Sequence, residues 1–408
     1  MTYKVAGIDV HKKVLMVVVG EVGEVGEAEG RQERRRFGTT VSELRRLARW
    51  LQEQAVEEAV MESTAQYWKP VWYELEPHLR LQLAQAYSNR APRGRKHDFK
   101  DAERLVRRLV ADELQLSFVP QPEQRAWRTL TRMKVQLSRD ASRLHNQLEC
   151  LLEEMRIKLS SVVSDLLGLS GRRILHALAE GESDPRQLAS LGDPHLRCTQ
   201  EQLIDALSGS PQPLHRQLLQ LYLDRYQLIQ QQIEQLKQMT ASAMLAHAEA
   251  VKRLAEVPGL GVDSAQQVIA EVGVEASAFA SPARLSSWVG TCPGKQESAE
   301  QNRSSRSAKG NRYLRRVLNQ AAHAAVKKNG SHFQSVFRRL LPRLGYKSAI
   351  WAIAHRLCRL VWKILHEHVA FLEQGNEPSP RQKRQRAQRL LRSLRRLGYE
   401  VTLTPSPA

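Results

Sequence analysis

The chain has 408 residues, with 62 Lys and Arg against 43 Asp and Glu, for a formal charge of +19. Apolar residues make up 42 %, enough for real cores, and 22 Gly and 17 Pro are too few for a low-complexity chain. At roughly 100–200 residues per domain, the length fits two to four domains.

Residues 1–115 read as α/β. Val5-Ala6-Gly7-Ile8-Asp9-Val10 is one short apolar run and Val14 to Gly20 a second, while 20–33, rich in Gly and Glu, suits a turn or an edge. Helical spacing follows over Ser42 to Gln54, then a buried strand Ala59-Val60-Met61 ending at Glu62, a strand over Leu79 to Ala86, and a helix over Phe99 to Leu109. Strands alternating with helices imply a layered sheet. Apolar residues then recur every three or four positions from Leu130 to Met155 and from Leu219 to Leu236. These stretches read as long helices that pair with each other or with another subunit, as bundle core or dimer-forming coiled coil. Gly168-Leu169-Ser170-Gly171 and Gly209-Ser210-Pro211 mark a small helical insertion at their tip. A third, mostly helical unit spans 250–370 with a polar loop at 293–311. The tail beyond it carries Arg381, Lys383, Arg384, Arg386, Arg389, Arg392, Arg395 and Arg396, with Leu390, Leu391, Leu394 and Leu397 on one side. It reads as a solvated basic arm or an amphipathic helix.

The longest apolar run, Val14 to Val19, is far short of the ~20 residues of a membrane helix. No signal-peptide pattern precedes the first strand. Cys150, Cys198, Cys292 and Cys358 lie far apart without a CxxC pair, which argues against a zinc-finger frame or a disulfide scaffold and for reducing cytoplasm. The cationic excess points to a polyanionic partner, because Lys and Arg release condensed counterions when they neutralise phosphates.

Chemistry concentrates at two places. Asp9 ends an apolar strand, where a carboxylate is costly unless paired or bound to a cation, and Glu62 ends another. Asp98 and Asp101, three apart at a helix start, share a helical face, with Lys96 and Lys100 beside them. Singly, Asp98 could be a cap and Asp101 a surface residue. Together, acids from two strands and a helix could hold two divalent ions about 4 Å apart, the arrangement that clamps attacking and leaving oxygens of a phosphodiester. The second place lies near the C-terminus. Leu254 to Ala265 reads as helix, tight turn, helix, with Gly259 and Gly261 freeing backbone N–H groups to face a phosphate. Then comes Trp288-Val289-Gly290-Thr291-Cys292-Pro293-Gly294-Lys295-Gln296-Glu297-Ser298-Ala299-Glu300, followed by Arg303, Arg306, Lys309, Arg312 and Arg315. A hydroxyl among such cations could attack a phosphodiester. Chemistry alone leaves the choice open among Ser298, Ser304, Ser305 and Ser307, or a loop that only grips phosphate.

Gly7-Ile8-Asp9-Val10-His11-Lys12, Met61-Glu62-Ser63-Thr64 and Lys96-His97-Asp98-Phe99-Lys100-Asp101-Ala102-Glu103-Arg104-Leu105 together resemble the DEDD transposases of the insertion sequence 110 (110/116/902) family. His97 departs from the Thr common there. The resemblance implies an N-terminal RNase H-like (resolvase-like) domain in which Asp9, Glu62, Asp98 and Asp101 bind Mg²⁺; His11 would pack or orient. Pro293-Gly294 with Glu297-Ser298-Ala299, and Lys309-Gly310-Asn311-Arg312 with Leu314-Arg315, resemble the same family's C-terminal transposase domain and make Ser298 its nucleophile. Glu300 stands where Gly is usual, and a carboxylate there would repel phosphate unless it faces away. The resemblance spans roughly 3–370.

The expected organisation is α/β plus α: an RNase H-like DEDD domain over 1–120, helical coiled-coil arms with an insertion over 121–247, a C-terminal transposase domain over 248–372 and a basic tail over 373–408. The expected activity is Mg²⁺-dependent DNA strand cleavage and exchange. By resemblance, the partners are element-end and target DNA, a structured guide RNA and further copies of the chain as a dimer or tetramer, in a cytoplasmic, nucleoid-associated setting without membrane. Two alternatives stand beside it: a Holliday-junction-resolving nuclease that uses metal-activated water, and a non-catalytic nucleic-acid-binding architectural protein.

Overall fold

Two apolar runs separated by His11-Lys12-Lys13 form an antiparallel hairpin, β1 (Tyr3–Val10) and β2 (Val14–Val22), with Asp9 opposite Met16. These belong to a computed structural model that describes residues 3–22, 32–63, 65–86, 99–294, 296–298, 301–304, 307–373 and 380–401. The chain divides into two units, 1–120 and 121–408.

In the first unit, β3 (Glu33–Gly38) pairs with the outer edge of β2, and α1 (Val41–Glu53) follows. Next, β4 (Val56–Glu62) lies parallel to β1; after α2 (Trp68–Leu75), β5 (Arg80–Ala84) lies parallel to β4, and α3 (Lys100–Val110) closes the set. The five-stranded sheet has the order β3-β2-β1-β4-β5. Side chains alternate across a strand, and the two faces are sharply divided. Ala6, Ile8, Val10, Ala59 and Met61 share a core with Leu47, Leu51 and Leu75 of α1 and α2. Val5 and Val60 face the other way, against Val106 and Leu105 of α3. The sequence pattern misses β3 and α2. In Glu33-Arg34-Arg35-Arg36-Phe37-Gly38 only Phe37 is buried, because an edge strand needs charge rather than an apolar run. In α2, Pro70 sits in the first turn, where a missing N–H costs nothing, so it does not break the helix.

In the second unit, α4 (Pro122–Glu154) leads out and α9 (Pro213–Ala243) leads back. Trp127 donates to the Ala243 carbonyl at one end, Leu137, Leu144 and Ile229 pack at the middle, and Leu148, Leu219 and Leu223 join the core at the other. The two long helices therefore pair with each other within one chain. At their far end sit α5 (Leu159–Val162), α6 (Leu169–Glu180), α7 (Pro185–Ser190) and α8 (Gln200–Leu207), around Ile174, Leu175 and Leu203. Beyond the arms come α10 (Ala248–Ala255), α11 (Val262–Val272) and α12 (Pro282–Val289). They are followed by the hairpin β6 (Gln296–Ser298) and β7 (Gln301–Ser304), then α13 (Arg312–Ala325), α14 (His332–His366, kinked at Gly345) and α15 (Pro380–Arg396). Leu254, Ile269, Leu318, Ile353 and Leu357 lie in one core. The segment read as a polar loop at 293–311 thus contains a two-stranded ladder. Among the described residues no helix is long and apolar enough to cross a membrane.

One buried ammonium has a consequence for stability. Lys134 of α4 is 4 % exposed and pairs with Asp263 of α11. Burial pushes it down to about 8, with Lys237 and Arg316 adding in the same direction. Above that pH the folded chain binds fewer protons than the unfolded chain, whose lysine titrates near 10.5. Stability is therefore expected to rise with pH across this window. The urea midpoint of the wild type measured against pH, minus that of Lys134→Met, should show the rise; parallel curves would refute it.

Candidate active site

The alternation that buries Val5 on the α3 face puts Gly7 and Asp9 on that face too, and on β4 it puts Glu62 with Val60. Because Ile8 pairs with Met61 in the parallel register, Asp9 and Glu62 sit level at the carboxyl ends of neighbouring strands. The third acid comes from α3. A Cβ on Gly7 would collide with the Ala102 carbonyl oxygen and lie 2.9 Å from Val106 Cγ2, so glycine lets α3 rest directly on β1. Asp101, one residue before Ala102, is thereby brought within electrostatic reach of Asp9.

Burial raises the Asp9 carboxyl above the ordinary carboxylate range, and the Asp101 charge adds to it; His11 and, more weakly, Arg104 oppose. His11 Nε2 lies 3.1 Å from Asp9 Oδ2. Arg104 donates to Asp101 Oδ1 at 2.7 Å, while its Nε is buried with no acceptor among the described residues. Lys100 is exposed at the helix start. Asp98 and Lys96 lie outside the described residues, as does His97. The helix α3 begins at Lys100, and whether Asp98 shares a helical face with Asp101 lies outside the described residues. Among the described residues no group of three His, Cys, Asp or Glu side chains converges as a metal cluster. The donor set nonetheless suits a hard divalent ion: carboxylate oxygens, one of them held above its ordinary pKa by burial and a neighbouring carboxylate.

The serine segment is described through its backbone pairing. Ser298 is the last residue of β6 and pairs with Gln301; Arg303 lies on β7, and Arg306 and Glu300 lie outside the described residues. The feet of this hairpin are fixed. Arg315, expected to face nucleic acid, instead donates to the Gly290 and Ala308 carbonyls and to Ser307 Oγ, and lies over the Trp351 ring at 4.4 Å. Three of its donor contacts thus go to the protein's own loop. Gly259, expected to open onto phosphate, has φ +88 and its Cα against the Ala321 carbonyl of α13, so it serves close packing. Gly261, at the N-terminus of α11, has open space before it; Lys309 and Arg312 are exposed, with Arg312 over the Tyr313 ring.

Sequence reasoning missed the buried network behind the hairpin. Glu271 of α11 accepts two bonds from Arg132 at 2.8 Å and one from Asn311 at 2.7 Å, and Arg128 lies 3.5 Å away. Asn311 also caps α13, accepting from Tyr313 and Leu314 N–H groups. Arg128 and Arg132 sit four apart on α4, near the buried Trp127, Thr131 and Val135, a burial that the sequence alone does not show.

An α/β unit with acids at the carboxyl ends of its central parallel strands, in a chain of net charge +19, is the arrangement expected of an enzyme that works on nucleic-acid phosphodiesters. Residues 6–157 match a family model described as a transposase, that of the DEDD transposases of the IS110 group, and residues 251–338 match the model of the transposase IS116/IS110/IS902 family. A probable family 20 transposase of Pseudomonas aeruginosa PAO1 is 25 % identical over 315 residues, covering 76 % of this chain and 83 % of its own. The chain belongs to the IS110/IS116/IS902 transposase family: it is an enzyme of DNA transposition, its substrate is DNA, and its DEDD domain implies the use of divalent metal ions.

Proposed function

We propose that this transposase cuts and rejoins DNA strands through a serine-linked intermediate, with Asp9, Glu62, Asp98 and Asp101 holding Mg²⁺ and Ser298 as nucleophile. The observation that carries the reading is the approach of Asp101 to Asp9, residues far apart in sequence: the Asp101 charge adds to burial in raising the Asp9 carboxyl at the end of β1. The strand order β3-β2-β1-β4-β5, with β2 antiparallel to β1, fits an RNase H-like domain over 1–120. Bound Mg²⁺ would supply Lewis-acid stabilisation of charge on the phosphoryl oxygens.

The chain's own residues do the rest. Ser298 Oγ attacks phosphorus and gives up its proton. One backbone P–O bond breaks, and the departing sugar oxygen takes up a proton. The phosphoserine keeps the bond energy, so a hydroxyl of another strand can displace the serine and reseal the backbone. Lys309, Arg312 and Arg303, from the hairpin segment and the start of α13, would hold flanking phosphates; Lys96, Lys100 and Arg306 would do so on their own segments. The organisation extends to arms over 121–247 and a transposase domain over 248–372, to a dimer or tetramer in which acids and serine come from different copies, and to a structured guide RNA that pairs with both DNA partners. The +19 charge supports so large a nucleic-acid load.

The test is a denaturing gel of the protein incubated with end-labelled element DNA and Mg²⁺. The wild type should leave a covalent protein–DNA adduct, Ser298→Ala should leave none, and Asp9→Asn should cut the rate of adduct formation by on the order of 10²–10³ while retaining DNA binding. Strand nicking by Ser298→Ala at the wild-type rate would replace this reading with a water-using nuclease.

A further inference from the structure

The basic tail forms a helix that opposes itself. Between Pro380 and Arg396, α15 carries eight cations and no acid. Arg392 lies three residues before Arg395 and four before Arg396, spacings that make neighbours on a helix surface, where like charges destabilise it; the sequence repeats the three-residue spacing at Arg381/Arg384, Lys383/Arg386, Arg386/Arg389 and Arg389/Arg392. Arg381, Lys383 and Arg384 also crowd its N-terminus, the end whose dipole disfavours cations. Yet the helix is deliberately ended. Gly398 has φ +86, its N–H bonds to the Arg395 carbonyl, and the Tyr399 N–H reaches back to the Leu394 carbonyl at 3.1 Å, the six-to-one bond of a glycine-terminated helix. Among the described side chains of α15, Arg384, Arg392, Arg395 and Arg396 are exposed, as are Leu390, Leu394 and Leu397. A specified helix with eight cations and no acid, whose described cations all face solvent, points to a polyanion. The segment also lies beyond both family matches, which end at residues 157 and 338.

We infer that α15 is a sequence-independent clamp on a nucleic-acid backbone, an accessory site separate from the catalytic acids and the serine hairpin. The phosphates complement the helix along its length and relieve its i, i+3 repulsion. An anionic membrane is the weaker match: the apolar stripe holds only leucines over the helix and no Trp or Phe, and this enzyme's substrate is DNA.

The test uses the full chain against a full-length variant with Arg386, Arg389, Arg392, Arg395 and Arg396 changed to Gln, and a rescue variant with the same five changed to Lys. Binding of random-sequence 30-base-pair DNA, of an RNA duplex of equal length and of phosphatidylglycerol vesicles is followed against salt concentration. Each lost phosphate contact lowers the slope of log affinity against log salt by ~0.9. The Gln variant is expected to lose a slope of about 3–4 and, at moderate salt, on the order of 10² in affinity, with the Lys variant near the wild type. Loss on the DNA duplex, the RNA duplex or both supports the clamp and tells which backbone it holds. An unchanged slope on both duplexes overturns it, as does a loss confined to the vesicles. Because the readout is binding of random sequence, it stands or falls independently of the covalent-adduct assay.

Discussion

Gly7→Ala is expected to reduce DNA cleavage by on the order of 10² or more, although it alters no carboxylate. The added methyl group meets the Ala102 carbonyl oxygen, a backbone atom that cannot turn aside, and then Val106 Cγ2 at 2.9 Å. To make room, α3 must move away from β1, carrying Asp101 with it. Displacements near 1 Å in a catalytic constellation cost about that much in rate. The overpacking itself should cost about 1–3 kcal/mol of stability. Gly20→Ala is the matched control: there the new methyl meets only Val106 Cγ1, at 3.1 Å, a side-chain atom that can yield. Single-turnover cleavage and melting curves on both variants separate the effects. Ala102→Gly should fail to rescue Gly7→Ala, since the obstacle is the carbonyl and not the side chain. Full cleavage by Gly7→Ala would mean that the seat of α3 on β1 does not set the position of Asp101.

This dependence also shows what the sequence could reveal. The strand-end positions of Asp9 and Glu62 follow from alternation and an apolar run, and both emerge from the residues alone. That Gly7 is a contact point follows only once α3 is known to cross β1, because a glycine in a strand has several uses. Edge strand β3 was illegible because its residues answer to solvent rather than to a core. Gly259 and Arg315 misled for a common reason. A turn glycine and a loop arginine look alike whether they face phosphate or protein, and here the chain's own α13 and hairpin feet take them up. The paired arms were readable as periodicity, but their partner was not, since a stripe of leucines does not say whose stripe it meets. The cation network on Glu271 was hidden for the opposite reason. Arg128 and Arg132 read as surface charge until the helix that covers them is known.

Glu271→Ala should be the most destabilising single change in the second unit. The carboxylate is 2 % exposed and joins three parts of the chain: α4 through Arg132 and Arg128, its own α11, and the cap of α13 through Asn311. Burial already lowers the Arg128 guanidinium to about 10, even with Glu271 beside it. Without that carboxylate a buried cation has no charge to meet, and removing one partner of such a pair costs about 3–5 kcal/mol. The melting temperature should fall by on the order of 10 °C. Glu271→Gln keeps the volume and one acceptor, so it should lie between the wild type and Glu271→Ala. Arg132→Ala alone should cost less than Glu271→Ala, because Asn311 and Arg128 still face the carboxylate; the double variant should cost less than the sum, the mark of a direct pair. Asn311 gives the network a second reading. It starts α13 at the foot of the serine hairpin, so loosening it should also lower adduct formation by Ser298 at temperatures where the variant remains folded. Strict additivity of Glu271→Ala with Arg132→Ala, and an unchanged melting temperature, would remove the network from the account of this unit's stability.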